Sequence, residues 1–279
     1  MLKIVAAMLV LFSIAAPAMA LSPADPEMAA DMTVDQVKTA LAAATAGHPA
    51  DLSGKSLRKL DLSNLDFTGA NLKGTNLFNA RLEGSNMTRA DLTGANLNLT
   101  SLIHANFTDA NLTDASLVAP IVAEGMTAKA SEIPIFKGAN MTGARVQARF
   151  TGGDLRGAKF TGADVSAHLQ NQSMGLMHTE MGNANLEGAD FSHANMGHAD
   201  LSFANLKGVN FEGADLSRAD LTGADARGAN FAGADLTVSG VSPRLEYLKA
   251  FRARRESSAL GTPVRSLSAV SHWYRSAGT

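Results

Sequence analysis

From Ala184 to Asp235 the chain repeats itself every five residues: ANLEG, ADFSH, ANMGH, ADLSF, ANLKG and on to ADLTV. Five residues of α-helix turn through about 500°, so every fifth side chain drifts around the helix and forms no stripe. In a flat strand every fifth residue lands on the opposite face. The period works only for a chain that bends at each pentad. The central residue and the small residue two before it then point inward, and Gly, Asn, Asp and Ser occupy the bends. Four such sides close a square coil of about 20 residues, and successive coils stack at strand spacing, about 4.8 Å.

Residues 20 apart should then stack and match. Phe191, Phe211 and Phe231 are the only Phe centres of this run and lie 20 apart. The same rhythm starts at Ala50, where every centre from Leu52 to Leu117 is Leu, Phe or Met, and Leu57, Leu77, Leu97 and Leu117 form one identical column. It breaks at 120–135 and resumes with Phe136, Met141 and Val146. It then slips by one residue to Phe150, Leu155, Phe160 and Val165, and breaks again at 166–175. In all eleven pentads from Asn185 to Asp235 the residue before the centre is Asn or Asp, which can bond backbone groups at the bend. The residue two before the centre is Ala in ten of them, Val209 being the exception, because a larger group crowds a narrow interior. Gly188, Gly208, Gly213, Gly223, Gly228 and Gly233 sit two after the centre, where a corner calls for positive φ.

These pentads resemble the pentapeptide-repeat proteins, whose consensus is close to A-(D/N)-L-x-x. The resemblance covers about residues 50–119, 136–165 and 176–238, with Ala226 a departure at one centre. It implies an all-β fold, a right-handed quadrilateral β-helix. The length gives about eight to nine coils, roughly 40 Å of rod at strand spacing, with short capping helices at both ends.

Residues 1–20 read as a signal peptide: Lys3, an apolar run from Ile4 to Ala16, then Pro17 and Ala18-Met19-Ala20, with cleavage after Ala20. The run falls short of the roughly 20 apolar residues of a membrane span. The protein is therefore expected to be exported, periplasmic or secreted. It has no cysteine, so packing and backbone bonds must hold it. Residues 21–49 form a lead-in and an N-terminal capping helix. Thr33 and Gln36 make a capping-box pattern, Val34, Val37, Leu41 and Ala44 share one helical face, and Gly47 is a stop, which predicts a helix over 34–46. The solenoid occupies 50–238. In 239–279, Ser242-Pro243 opens a predicted helix over 243–256 with Leu245, Leu248 and Phe251 along one side. Residues 244–279 carry seven Lys and Arg against Glu246 and Glu256, a net of +5. The basic tail suits an anionic surface, and the terminal helices suit a homodimer contact.

No nucleophile elbow, zincin helix, phosphate loop or dinucleotide fingerprint is present. The repeat itself accounts for the many Asp residues, so no enzyme activity, catalytic residue or cofactor is expected. A formal net charge of −2 is not that of a nucleic-acid binder. Residues 176–238 carry a net of −6, and some pentapeptide-repeat proteins are acidic rods that imitate DNA and bind gyrase. That role would require the signal to be non-functional, and the net of +3 over 136–165 opposes it. Ligand chemistry is concentrated at MGLMHTEM, 174–181. His178 and His198 are 20 apart and are predicted to share a corner, with Met177 beside them. Imidazole and thioether groups suit copper, whereas Arg218, next in that column, repels a cation. His178, His198 and Met177 are thus the candidates for a periplasmic copper-like site. The leading expectation is a non-enzymatic exported scaffold for protein–protein contacts in the cell envelope, its protein partner unknown.

Overall fold

The computed structural model describes residues 29–45, 47–124, 129, 131–166 and 179–237. From Asp51 to Asp235 the coils are joined by four parallel ladders of bridges. Ladder 1 runs through Asp51, Asn71, Asp91, Asn111, Asn140, Lys159, Asp190, Asn210 and Asn230. Ladder 2 begins at Ser56 and continues through Asn76, Asn96, Ser116, Arg145, Asp164 and Asn195 to Asp235. Ladder 3 carries Asp61, Arg81, Ser101 and Ile121, then Arg149, Glu180, Asp200 and Asp220. Ladder 4 carries Asp66, Asn86, Asn106 and Ile135, then Asp154, Asn185, Asn205 and Asp225. Each rung residue directly precedes a centre, so the five-residue period is one ladder per pentad.

Only two runs longer than a single rung occur among the described residues. These are β1 (Ser116–Val118) and β2 (Arg145–Gln147), paired in parallel with Leu117 opposite Val146. Elsewhere each side is too short for a strand. The Leu72 N–H bonds the Asp91 carbonyl one coil on at 2.7 Å, and the Asn71 N–H bonds the Ala50 carbonyl one coil back at 2.8 Å. The same side then closes on itself when the Thr75 N–H bonds the Leu72 carbonyl at 3.1 Å. One extended residue and one turn use up the pentad.

Centres fill the interior, and those from Leu52 to Leu117 and from Met181 to Leu216 are completely buried. Phenylalanines stack along the axis: Phe160 on Phe191 at 4.5 Å, Phe191 on Phe211 at 5.6 Å and Phe211 on Phe231 at 5.0 Å between ring centroids. Hydroxyl residues at the inward position are satisfied by carbonyls. Thr75 donates to the Leu52 carbonyl at 3.0 Å, and Thr179 donates to the Val146 carbonyl at 2.9 Å.

Helix α1 spans Val34–Ala42, shorter than the 34–46 expected from sequence. Its capping box is formed: the Thr33 N–H bonds Gln36 Oε1 at 2.7 Å, and Thr33 Oγ1 accepts from the Gln36 N–H at 3.3 Å. The helix ends before Gly47 because Thr45 and His48 exchange backbone bonds of 2.9 and 3.0 Å and reverse the chain earlier. Val37 joins the rod's core, and Asp31 pins the lead-in through the Ser56 N–H at 2.6 Å. The helix predicted over 243–256 lies outside the described residues.

Candidate functional site

The rung side chains on the surface do structural chemistry first. Asp and Asn at the rungs take the N–H two residues on, as Asp200 does from Ser202 at 2.8 Å and Asp220 from Thr222 at 2.8 Å. Asn adds an amide donor, which reaches the acceptor one coil back: Asn71 to Asp51 at 2.9 Å, Asn205 to Asn185 at 3.0 Å, Asn210 to Asp190 at 3.1 Å. Asp followed by Asp, as at Asp200 and Asp220, cannot make that link.

These turns set the charge of the carboxylates. The Ser53 and Thr68 hydroxyls, seconded by the same residues' N–H groups, hold Asp51 and Asp66 below the usual carboxylate range. Burial pushes Asp190 upward, but the Ser192 N–H and hydroxyl outweigh it and leave the group lowered. The Arg227 guanidinium brings Asp225 down to about 2. Because the folded values lie below the unfolded ones, the unfolded chain binds more protons as the pH falls. The stability these groups supply is present above the unfolded carboxylate value, about pH 4, and is lost as the pH falls below it, for Asp225 down to about 2. The thermal midpoint should therefore hold steady through neutral pH and drop across that window. A midpoint unchanged down to about pH 2 would remove the turns from the stability of the rod.

The corners two residues after the centres are left-handed along the rod. Glycine supplies many of them, but His193, His198, Phe203 and Arg218 also have φ between 56° and 65°. His198 therefore sits at a corner, half-buried, as the register predicts. His178 and Met177 lie outside the described residues, so the structure does not bring the three candidates together. Among the described residues no group of three or more His, Asp and Glu is arranged to hold a metal ion.

Sequence reasoning missed where the breaks fall around the coil. Asn106 pairs with Ile135, and Asn111 with Asn140, 29 residues apart instead of 20. The extra residues therefore lie between rung Ile121 on ladder 3 and rung Ile135 on ladder 4. Arg149 pairs with Glu180, and Asp154 with Asn185, 31 apart. That second insertion lies between rung Asp164 on ladder 2 and rung Glu180 on ladder 3. The one-residue slip falls between Arg145 and Arg149, again on the step into ladder 3, and leaves Asn140 and Lys159 only 19 apart. All three irregularities thus adjoin one side of the rod at successive coils. Assigning each break to its place in the 20-residue register would have found this.

The described part of the first excursion is anchored. His104 receives it twice, its N–H bonding the Glu132 carbonyl at 2.8 Å and its Nδ1 meeting the Ser131 carbonyl at 2.7 Å. The nearly buried Glu132 carboxylate takes the Lys129 N–H at 3.3 Å and its ammonium at 3.3 Å. On the same side of the rod an open depression of about 480 Å³ is lined by Leu99, Ile103 and Ile121, with Arg81, Glu83 and Glu124 among its polar groups.

The sequence matches the profile of the family described as Pentapeptide repeats in eight copies, over residues 50–84, 85–118, 178–208 and 204–237. A comparison with curated protein sequences gives no match. Similar solved structures include HetL, a pentapeptide repeat protein involved in heterocyst differentiation regulation from the cyanobacterium Nostoc sp. strain PCC 7120. It is 28% identical, with 69% of this chain and 78% of that one covered and a TM-score of 0.32. Full-length QnrB1, a plasmid-mediated fluoroquinolone resistance protein, is 18% identical, with 76% and 97% covered and a TM-score of 0.40. A pentapeptide repeat protein from the thylakoid lumen of Arabidopsis thaliana is 34% identical, with 38% and 65% covered and a TM-score of 0.17. The repeat matches and the four ladders of one rung per pentad agree on a right-handed β-helix: the chain belongs to the pentapeptide-repeat family.

Proposed function

We propose that this protein is a non-enzymatic, exported β-solenoid scaffold that offers rigid faces for protein–protein contacts in the cell envelope. In this reading the rod has eight or nine coils, α1 covers its first coil, and residues 239–279 supply a second helix. The observation that carries the reading is that both insertions and the slip adjoin ladder 3, the one side that all three share. Repeat rods present such flat or gently curved faces to partners, and their irregularities gather where binding occurs. Export rests on the sequence of residues 1–20.

Two measurements test it. N-terminal sequencing of the fractionated protein should give a mature chain starting at Leu21 in the envelope; a cytosolic chain that keeps residues 1–20 would end the export reading. A photo-crosslinking residue placed at Arg81 on ladder 3 should capture a partner protein in cells that the same residue at Thr113, beside ladder 1, does not. Equal capture from both positions, or turnover of a substrate panel by the purified protein, would overturn the scaffold reading.

A further inference from the structure

The exposed large hydrophobic side chains among the described residues are Leu99, Ile121, Ile135 and Phe203. Three of them border ladder 3. Leu99 stands on the corner that leads into it, Ile121 on one of its rungs, and Phe203 on the corner that leaves it, 62% exposed. A repeat surface has no structural use for apolar groups at these corners, since Asn serves the corner at Asn64 and Asn183 with φ of 59° and 58°. Phenylalanine at a left-handed, solvent-facing position is costly unless something covers it.

We propose that this face is the docking surface for the chain's own C-terminal segment, Leu245–Arg255 (LEYLKAFRARR). The described rod ends at Thr237, just past the ladder 2 rung Asp235, so the next side in the winding is ladder 3, beside Asp220. Forty-two residues follow Thr237. At roughly 3.3 Å per extended residue, those before Leu245 reach about 25 Å, the span of about five coils at strand spacing. That brings the segment from the end of the rod to Phe203 and toward Ile121. The chemistry is complementary. The segment combines the apolar Leu245, Leu248 and Phe251 with the cations Lys249, Arg252, Arg254 and Arg255, against one acid, Glu246. Ladder 3 sets Asp200 and Asp220 beside Phe203, and neither acid forms an ion pair with a described residue. Tethering makes the encounter intramolecular, so modest contacts suffice. The docked segment covers the face on which the breaks converge. Docking of the chain on itself holds whether or not an external partner uses the same face.

Limited trypsin digestion of the purified full chain, followed by mass spectrometry, tests it. Cleavage after Arg252, Arg254 and Arg255 should be about tenfold slower than in the triple variant Phe203→Asn/Asp200→Asn/Asp220→Asn, because proteolysis follows the population of the open form. Asn is already used at the same kind of corner and at the rungs Asn195 and Asn205, so the variant keeps the turns, and circular dichroism checks this. In the unaltered protein, salt well above physiological strength should speed the same cleavage. Equal rates in protein and variant with no salt effect overturn the proposal. Protection that survives the triple variant places the segment elsewhere, on the open end of the rod, and also overturns it. Protection that grows with protein concentration assigns the face to a second copy's tail instead, and overturns docking within one chain.

Discussion

Phe191→Ala is expected to lower stability by about 3–5 kcal/mol, near the top of the range for a single core truncation. Phe191 is completely buried, and its ring is sandwiched between Phe160, 5° from parallel, and Phe211, 20° from parallel. Removing it breaks two of the three stacks in that column. The void cannot close easily, because the coil spacing is fixed by backbone bonds above and below. The Asp190 N–H holds the Ala158 carbonyl at 2.9 Å, and the Phe191 N–H holds the Asn210 carbonyl at 2.7 Å. A site that cannot collapse carries the full cavity cost. Phe231 ends the same column, is only partly buried and stacks on one described ring, Phe211. Phe231→Ala should cost about half as much or less. Urea unfolding followed by far-UV circular dichroism measures both, and equal costs would mean the column does not act as a stack. The two variants also report on cooperativity. A solenoid stabilised by neighbouring coils should lose the coils around Phe191 as a block.

Phe191, Phe211 and Phe231 show how much of the fold could be read in the sequence. Their 20-residue spacing gives the coil length directly, and the ladders confirm it. Phe160 is the fourth member of the column, and its spacing of 31 from Phe191 hides it. The difference is physical. Stacking is a relation between coils, and an insertion changes the sequence distance without changing the stack. The same limit explains why the convergence on ladder 3 was not legible: the breaks at 120–135 and 166–175 were visible, but their place around the coil depends on pairings across them. The corner conformation was half legible. Glycine at Gly188 or Gly233 announces a left-handed residue, whereas His193 and Phe203 adopt it with no local signal because the bonds on either side impose it. The His178/His198 pairing was a register inference, and only His198 falls among the described residues.

Gly213→Ala should cost about 2 kcal/mol, roughly twice the cost of Gly188→Ala. Both glycines are left-handed, with φ of 65° and 68°, so both alanines incur the same backbone penalty of about 1 kcal/mol. They differ in what lies above them. A Cβ on Gly188 meets nothing within 4 Å, while one on Gly213 would stand 2.5 Å from His193 Nδ1 and 2.8 Å from its Cε1. The same contact recurs at other corners. Asn64 lies against Gly84, His193 against Gly213 and Phe203 against Gly223, each side chain leaning one coil toward the C-terminus. Where a glycine stands one coil after such a corner, as at Gly213, the two positions are coupled although neither is in the core, whereas Lys59 is followed by Asn79 and His198 by Arg218. The double variant His193→Gly/Gly213→Ala should recover about 1 kcal/mol of the loss, the clash having gone while the backbone penalty stays. Chemical denaturation of the two single variants and the double gives the coupling energy. A value near zero would show that the imidazole simply swings aside, and that the glycine at Gly213 answers to its backbone alone. A value near about 1 kcal/mol would make the corner column a second register signal, readable in sequence beside the buried centres.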